Sequence, residues 1–234
     1  MRRIAYDPHM PFFETAIPAL QRAFAALPPR ERLRSQLGGP IESLARWDRR
    51  WAADSGATTL AAFWADELWS ATNSAPGNRW EAIAALPDAE RLSALARAVT
   101  RLERDWRSWR VPWGEVNRFQ RNDGAIVQTF DDSRPSVPVP FASARWGSLA
   151  SFASRPYPGT RRWYGTSGNS FVAVVEFGPR VRAWAVTAGG ESGDPVSRHF
   201  NDQAARYASG DLRPVYFHAD ELAGHVARTY RPGE

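Results

Sequence analysis

The first half of the chain places apolar residues three and four positions apart, which is the spacing of amphipathic helices. Residues 12–27 show this pattern, with Phe13, Ile17 and Leu20 on one face. Before about Arg110, helices are predicted over residues 12–27, 33–37, 41–51, 59–71, 80–83 and 88–106. A layer of packed helices is therefore expected to form the first half of the structure.

Short motifs predict where these helices begin and end. Pro28-Pro29 is expected to stop the first helix, and Gly38-Gly39-Pro40 to separate the second from the third. Thr58 or Thr59 is expected to cap the fourth helix and Asp88 the longest one. The reason is that short polar side chains accept hydrogen bonds from the free N–H groups at a helix start.

After Val111 the pattern changes to short β-type runs. Residues 115–120 and 125–130 flank Asn122-Asp123-Gly124, and an Asp-Gly pair between two such runs predicts a hairpin turn. Residues 131–163 are rich in Ser, Pro, Arg and aromatic residues, and we expect them to form a long, ordered surface loop. Towards the end, the sequence predicts a helix over 201–209 closed by Gly210, a strand over 213–217, and a helix over 220–230 capped by Asp220.

A second hairpin is predicted between these regions. Residues 170–177 and 181–187 are apolar runs that flank the turn-forming triplet Gly178-Pro179-Arg180. Both faces of the first run are apolar, which predicts a central strand covered on both sides. Small and polar loops, 165–169 and 189–195, flank the hairpin, and such loops on a rigid scaffold often carry function. Helices followed by strands indicate an α+β fold.

Length and composition support a packed globular protein. The chain has 234 residues, of which 43% are hydrophobic, with 11 Trp and 12 Phe. It contains no Cys, so neither a disulfide nor a thiolate metal site is available. No apolar run reaches the roughly 18 residues of a membrane-spanning helix. We also predict no signal peptide, because Asp7, Pro8 and His9 stand where its apolar segment is needed.

The basic composition raises the question of nucleic-acid binding. The formal net charge is +5, and all 30 basic residues are Arg, mixed along the chain with 25 acidic residues. The densest basic stretches, 46–50 and 101–110, carry Trp at helical spacing and interleaved acids. This favours solvated helix faces with core Trp residues over a nucleic-acid site, which concentrates charge on one surface. A non-catalytic Arg- and Trp-rich binding or interaction module is the alternative function.

One cluster contains residue types that carry chemistry. Ser192, Asp194, His199 and Asp202 include every member of a serine–histidine–acid triad within eleven residues. However, no nucleophile elbow surrounds Ser192, and triad residues normally converge from distant parts of a chain. A structured loop, in which Asp and Ser side chains satisfy the backbone, is favoured over catalysis.

Other kinds of site are indicated only weakly. The four His residues share no metal-ligand spacing, and the pair Asp131-Asp132 alone is a weak calcium signal. The glycine-containing stretch 165–168 lacks the Lys and the length of a phosphate-binding loop. The residues by themselves therefore indicate an α+β unit without a catalytic, metal or cofactor site of its own.

Several motifs occur together in the order found in one family. They are Leu44-Ala45-Arg46-Trp47-Asp48, Thr59-Leu60, Phe63-Trp64, Trp109, the stretch PWGEVNR at 112–118, GTSGNS at 165–170, GGESGDP at 189–195, His199-Phe200 and Asp202-Gln203. With these motifs the chain resembles the C-terminal part of the β chain in the penicillin acylase (penicillin amidase) family, of the N-terminal-nucleophile hydrolase superfamily. The resemblance covers essentially the whole chain.

The resemblance implies a fold and an activity. It implies the C-terminal portion of an αββα sandwich, to which residues 1–112 contribute a helical segment and 113–234 a β-rich segment of one larger domain. It also implies an amide hydrolase made as one precursor that cleaves itself into α and β chains. The serine at the new β-chain N-terminus attacks the amide carbonyl, and its own α-amino group serves as the base.

In the family, the nucleophilic serine, the oxyanion asparagine and the calcium ligands lie upstream of the region that this chain resembles. None of them maps onto residues 1–234, so no residue here is expected to be catalytic. We expect a fragment, inactive alone, whose partners are the α chain and the N-terminal part of the β chain. A structural calcium ion is expected elsewhere in the protein, and no cofactor in this chain.

The resemblance also yields expectations about the site, the substrate and the location. Residues expected to shape the site are Asn169, Ser170, Ser192, Gly193, Asp194, His199 and Asp202. The substrate is expected to be a small amide, with β-lactam antibiotics, acyl-homoserine lactones and other amides all open. The full-length protein is expected in the periplasm or outside the cell, without a membrane span and without nucleic acid as a partner.

Overall fold

The computed structural model of the protein describes residues 2–226, 228–231 and 233. Helices dominate its first half: α1 (Arg2–Ala5), α2 (Phe12–Ala25), α3 (Arg32–Arg46), α4 (Gly56–Ala71), α5 (Arg79–Ala84), α6 (Asp88–Trp106) and α7 (Trp113–Val116). The second half adds a 3-10 helix over Ala144–Trp146 and the short helices α8 (Ala204–Ser209) and α9 (Ala219–Leu222). Among the described helices, none is long and apolar enough to cross a bilayer.

Seven short strands form two sheets in the described chain. They are β1 (Asn117–Phe119), β2 (Val137–Pro138), β3 (Phe152–Pro156), β4 (Trp163–Gly168), β5 (Phe171–Glu176), β6 (Arg182–Thr187) and β7 (Arg213–Val215). The first sheet has the order β2-β1-β4-β3 and the second the order β5-β6-β7. Strand β1 runs parallel to β4, and the other pairs are antiparallel. This mixture of helices and small sheets agrees with the predicted α+β class.

Helix α4 lies at the centre of the helical layer, where it packs against α3, α5 and α6. Residues Leu60 to Ala65 are buried without a break, so this helix has little solvent-facing surface at its middle. Its cap differs from the prediction, because the Ser55 side chain accepts a hydrogen bond from the Thr58 N–H. Thr59 is buried and donates its hydroxyl to the Val111 carbonyl instead, at 2.7 Å.

The prediction that Asp88 caps α6 is also wrong. Asp88 is the first residue of this helix, and the residue before it, Pro87, stands at the cap position without a side-chain hydrogen bond. The Asp88 carboxylate is still placed favourably, because negative charge in the first turn of a helix interacts with its positive end.

The predicted break at Gly38-Gly39-Pro40 does not occur, because α3 runs through it. Leu37, Pro40, Ile41 and Leu44 are buried at the spacing of one helix face, so the packing of this stripe outweighs the missing N–H of Pro40. The helix ends at Arg46, so the predicted extension to Trp51 is wrong. Trp47 is buried at the C-cap, and its indole N–H donates to the Arg50 carbonyl.

The hairpin predicted around Asn122-Asp123-Gly124 is absent from the described structure. Only Asn117–Phe119 of the first run is a strand, and residues 125–130 form an irregular loop. The buried side chain of Gln120 makes the contacts a second strand would have made: its amide nitrogen donates to the Asp131 carbonyl, and its oxygen accepts from the Asp131 N–H. Ile126 is fully exposed, so no apolar face holds the second run in a sheet.

The surface loop predicted over 131–163 is instead part of the core. It contains β2, the 3-10 helix and β3, and Phe141 and Trp146 are among the most buried large side chains. The Asn117 side chain anchors it by donating to the carbonyls of Val139 and Phe141, at 2.8 and 3.0 Å. Residues 165–168, also predicted as loop, belong to β4.

The predicted hairpin of β5 and β6 is present and pairs in register from Phe171–Thr187 to Glu176–Arg182. Its predicted central position is wrong, because β5 is an edge strand in the described sheet. Val172 and Val174 pack on a core cluster between the sheets, whereas Phe171, Val175 and Phe177 are 58%, 40% and 84% exposed. The apolar residues on both faces therefore mark one buried face and one face open to solvent.

Near the C-terminus, α8 ends at Ser209 and is followed by Gly210, whose φ of 72° matches the predicted glycine stop. The last strand is shorter than predicted and ends at Val215. The predicted helix over 220–230 is a single turn, α9, which begins after His218 rather than at an Asp220 cap. The described residues after Ala223 are not helical, and the part of this prediction that falls on Ala227 lies outside the described residues.

The two faces of β5 predict different effects of one substitution. Val174→Asp places a carboxylate against the inter-sheet cluster, so we expect it to lower the free energy of unfolding of chain 1–234 by about 1–3 kcal/mol or more. Val175→Asp, on the exposed face, is the matched control and should cost less than about 1 kcal/mol. Urea unfolding followed by Trp fluorescence measures both. Equal losses would contradict the assignment of the two faces.

Candidate functional site

A cleft of about 480 Å³ opens where the two sheets meet. Its walls are formed by β1 and the residues after it, by β4 and its link to β5, and by the end of β6. The lining residues are Phe119, Gln120, Arg121, Gln128, Phe130, Phe152, Gly165, Ser167, Gly168, Asn169, Ser170, Thr187, Ala188, Gly189, Gly190 and Tyr207. The cleft thus combines an aromatic interior with small and polar residues, as ligand sites commonly do.

The wall at Gly168 and Asn169 is fixed by the close approach of Ser151, the residue before β3. Gly168 has a φ of 149°, and a Cβ at this position would lie 2.1 Å from the Ser151 carbonyl oxygen, so only glycine fits. The Asn169 N–H donates to the same carbonyl at 2.9 Å, and the Ser151 N–H donates to Asn169 Oδ1 at 2.6 Å. The Ser170 carbonyl then accepts from the Ala188 N–H at 2.9 Å. This link therefore has a defined conformation at the cleft edge.

A buried amide, Gln203, organises the opposite wall. Its side-chain oxygen accepts from the Thr187 N–H at 3.0 Å, and the backbone N–H of Gln203 donates to the Gly189 carbonyl at 2.8 Å. Its amide nitrogen donates to Glu191 Oε1 at 3.0 Å, an oxygen that also accepts from Arg213 at 2.6 Å. Hydrogen bonds from Gln203, Thr187 and Arg213 hold the pKa of Glu191 below its usual range. Hence α8, β6 and β7 are joined through one side chain.

Arg121 ties the loop 189–200 to the segment after β1. Its Nη2 donates to the Ser192 carbonyl at 3.0 Å and its Nη1 to the Phe200 carbonyl. The guanidinium carbon also lies 4.1 Å from the centre of the Phe200 ring, a cation–π arrangement. The loop is thereby attached to the cleft by a charged side chain that spans it.

The candidate triad is not assembled. The Ser192 hydroxyl accepts from the Asp194 N–H, and Asp194 Oδ1 accepts from the Val196 N–H, so both side chains serve the turn. His199 Nδ1 contacts Asp202 Oδ2 at 2.8 Å, while its Nε2 accepts from Arg198 at 3.0 Å. Because Nε2 accepts from Arg198, its lone pair is not available to take the proton of a serine hydroxyl. These residues brace the loop.

The acidic pair Asp131-Asp132 is likewise engaged in the fold. Asp131 Oδ1 accepts from the N–H and hydroxyl of Ser133, and Asp132 accepts from the Tyr164 hydroxyl at 2.9 Å. Within the described residues no three His, Asp or Glu side chains converge as a metal site requires.

Of the seven predicted site residues, Asn169 and Ser170 line the cleft. Ser192, Gly193, Asp194, His199 and Asp202 lie on the adjoining loop, outside its lining. The prediction did not include Gln203 or Arg121, which hold that loop in place. For Gln203 a signal existed, because it stands in the Asp202-Gln203 motif of the resemblance; for Arg121 the sequence offers none beyond its charge.

Comparison with known families identifies the family of the chain. The family model described as penicillin amidase matches residues 1–224. The chain therefore belongs to the penicillin amidase family, which confirms the resemblance found in the sequence.

Among solved structures, the chain is similar to a thermostable penicillin G acylase from Alcaligenes faecalis, with 12% sequence identity and a TM-score of 0.48. The match covers 96% of this chain and 47% of that chain. The chain thus spans about half the length of this solved relative.

The Gln203 network supports a stability prediction. Gln203→Ala removes the acceptor of the Thr187 N–H and the side-chain contacts to Glu191 and Arg213, so we expect it to lower the free energy of unfolding by about 1–3 kcal/mol. Gln21→Ala, at an exposed position of α2, is the matched control and should change it by less than about 0.5 kcal/mol. Chemical denaturation of chain 1–234 checks both values. A loss at Gln203 no larger than at Gln21 would contradict the central role of this amide.

Proposed function

We propose that this chain is the C-terminal β-chain segment of an amide hydrolase of the penicillin acylase type, and that its catalytic serine lies outside these 234 residues. The family match over residues 1–224 is the observation that carries the proposal. In this proposal, residues 1–112 and 113–234 are a helical and a β-rich part of one larger αββα domain.

The proposed chemistry follows from the family resemblance. The N-terminal serine attacks the amide carbonyl and its α-amino group takes the proton, because an amine with a pKa near ~8 is a competent base at neutral pH. The α-amino group passes this proton to the departing amine as the amide C–N bond breaks and the acyl-enzyme forms, and water then hydrolyses the ester to release the acid. The substrate class is a small molecule with a linear amide bond, a bond that penicillin-type β-lactams, acyl-homoserine lactones and other amides share.

The described residues have a supporting part in this proposal. Asn169 and Ser170 shape the wall of the cleft, and the braced loop with Ser192, Gly193, Asp194, His199 and Asp202 keeps the neighbouring wall in position. A rigid wall matters because a reacting amide must be held close to its attacking hydroxyl. The α chain and the N-terminal part of the β chain are the proposed partners, and a structural calcium ion would be held there.

The exposed face of β5 is the proposed contact with those partners. Phe171, Val175 and Phe177 present apolar surface along one edge of the sheet. Contiguous exposed apolar surface commonly marks an interaction site. We assign this face to the remainder of the same precursor, and we place the assembled protein in the periplasm or outside the cell.

The alternative function, an Arg- and Trp-rich binding module, receives less support. Many arginines stack on aromatic rings of the same chain, as Arg79 does on Trp69 and Arg110 on Trp109, each at 3.8 Å. Trp47 and Trp113 are buried in the core. These contacts give the Arg and Trp residues a role in packing.

An activity assay tests the proposal that the catalytic serine lies outside this chain. Chain 1–234 alone should not hydrolyse a chromogenic phenylacetyl or fatty-acyl amide, because it lacks the nucleophile. Co-expression with the α chain and N-terminal β segment of its own precursor should yield turnover. Enzyme-like turnover by 1–234 alone would contradict the proposal.

Substitution on the β5 face tests the proposed contact. Val175→Asp should reduce co-purification with the upstream segments at least tenfold, because a carboxylate opposes burial of this face. Glu176→Gln, on the other face of the same strand, is the control and should leave co-purification unchanged. Undiminished assembly of the Val175 variant would place the interface elsewhere.

A further inference from the structure

A second cavity, of about 210 Å³, lies between α4, the 3-10 helix and the β3–β4 hairpin. It shares only Phe152 with the cleft described above. The residues that define its chemistry are Asp66, Arg145, Arg155, Trp113, Trp146 and Trp163. One acid, two bases and three indole rings thus surround a space that can hold a small molecule.

Asp66 lines this cavity without a close ion-pair partner among the described residues. It stands in α4 beside residues that are almost all buried, yet among the described residues its carboxylate forms no ion pair within 4.0 Å and no hydrogen bond. Burial raises the pKa of Asp66 to about 6, although the charges of Arg145 and Arg101 act to lower it and that of Glu67 adds to the increase. A carboxylate without a direct hydrogen bond or close ion pair can accept both from a bound ligand.

The two arginines at the cavity are also unpaired. Arg145 is held over the Trp69 ring at 4.2 Å, and Arg155 lies 4.9 Å from the Tyr157 ring. Neither guanidinium forms an ion pair or hydrogen bond with another described residue. Stacking on an aromatic ring fixes the position of a guanidinium but leaves its N–H donors free.

Trp113 provides a further unsatisfied donor. This side chain lines the cavity and is 3% exposed, and its indole N–H has no hydrogen-bond partner among the described residues. Buried polar groups are normally hydrogen-bonded, so an unpaired one at a cavity calls for an acceptor.

We propose that this cavity binds a small zwitterion, an α-amino acid with an apolar side chain. Its ammonium group pairs with Asp66, its carboxylate with the free donors of Arg145 and Arg155, and its side chain packs on the indole rings. The Trp113 N–H is an additional donor for the carboxylate.

Charge balance favours a zwitterion over a singly charged ligand. A cation without a carboxylate would pair with Asp66 but leave the Arg145 and Arg155 guanidinium groups without a partner. An anion without an ammonium would face the Asp66 carboxylate. Only a ligand with both charges complements every unpaired group.

Calorimetric titration of chain 1–234 with L-leucine tests the proposal. Two analogues each lack one charge: 3-methylbutylamine lacks the carboxylate and 4-methylpentanoate the ammonium. We expect leucine to bind at least tenfold more tightly than either. Asp66→Asn and Arg145→Gln should each weaken leucine binding at least tenfold, whereas Asp54→Asn, at an exposed position outside the cavity, should not change it.

The pH dependence provides a second readout. Leucine keeps both charges between pH 5 and 8, so only the protein titrates in this range. Because the ammonium needs the ionised form of Asp66, affinity should rise as the pH increases through about 6. Leucine binding at pH 6 should release protons, and this release should be absent in Asp66→Asn. No leucine binding, equal binding of either analogue, or unchanged binding by a folded Asp66→Asn variant would overturn the proposal.

Discussion

The stacking of Phe63 on Trp163 joins the two halves of this chain. The rings lie 4.5 Å apart at an angle of 25°, and Arg101 from α6 sits over both. Phe63 comes from the central helix and Trp163 from the first residue of β4, so this contact joins the helical layer directly to the sheet. Since β4 continues into Gly168 and Asn169, the position of the cleft wall depends on this stack as well.

Much of the helical half could be predicted, because the spacing of its apolar residues indicates which helix faces are buried. The predictions for α2, α5 and α6 needed only small changes at their ends. The prediction for α3 was wrong because Gly38, Gly39 and Pro40 were judged by local preference, whereas the buried stripe through Leu37 and Leu44 decided the outcome. A buried face of this kind contributes more to helix stability than intrinsic propensity does.

The β-rich half was harder to predict for a different reason. Its strands have two to six residues, and several are held by side chains that imitate a backbone partner, such as Gln120, Asn117 and Asn169. Such short segments contain too few residues to show the two-residue alternation of apolar and polar positions that marks a strand. The loop with Ser192 and His199 could be located from its composition, but the direction of each hydrogen bond could not, because it depends on Arg121 and Gln203 from elsewhere in the chain.

The open edge of β5 makes the chain prone to aggregation. An edge strand presents unpaired N–H and C=O groups, and Phe171, Val175 and Phe177 add apolar side chains beside them. Such an edge is a template on which further copies of the chain can add as strands. As long as this edge is uncovered, it is therefore a site at which the chain can aggregate.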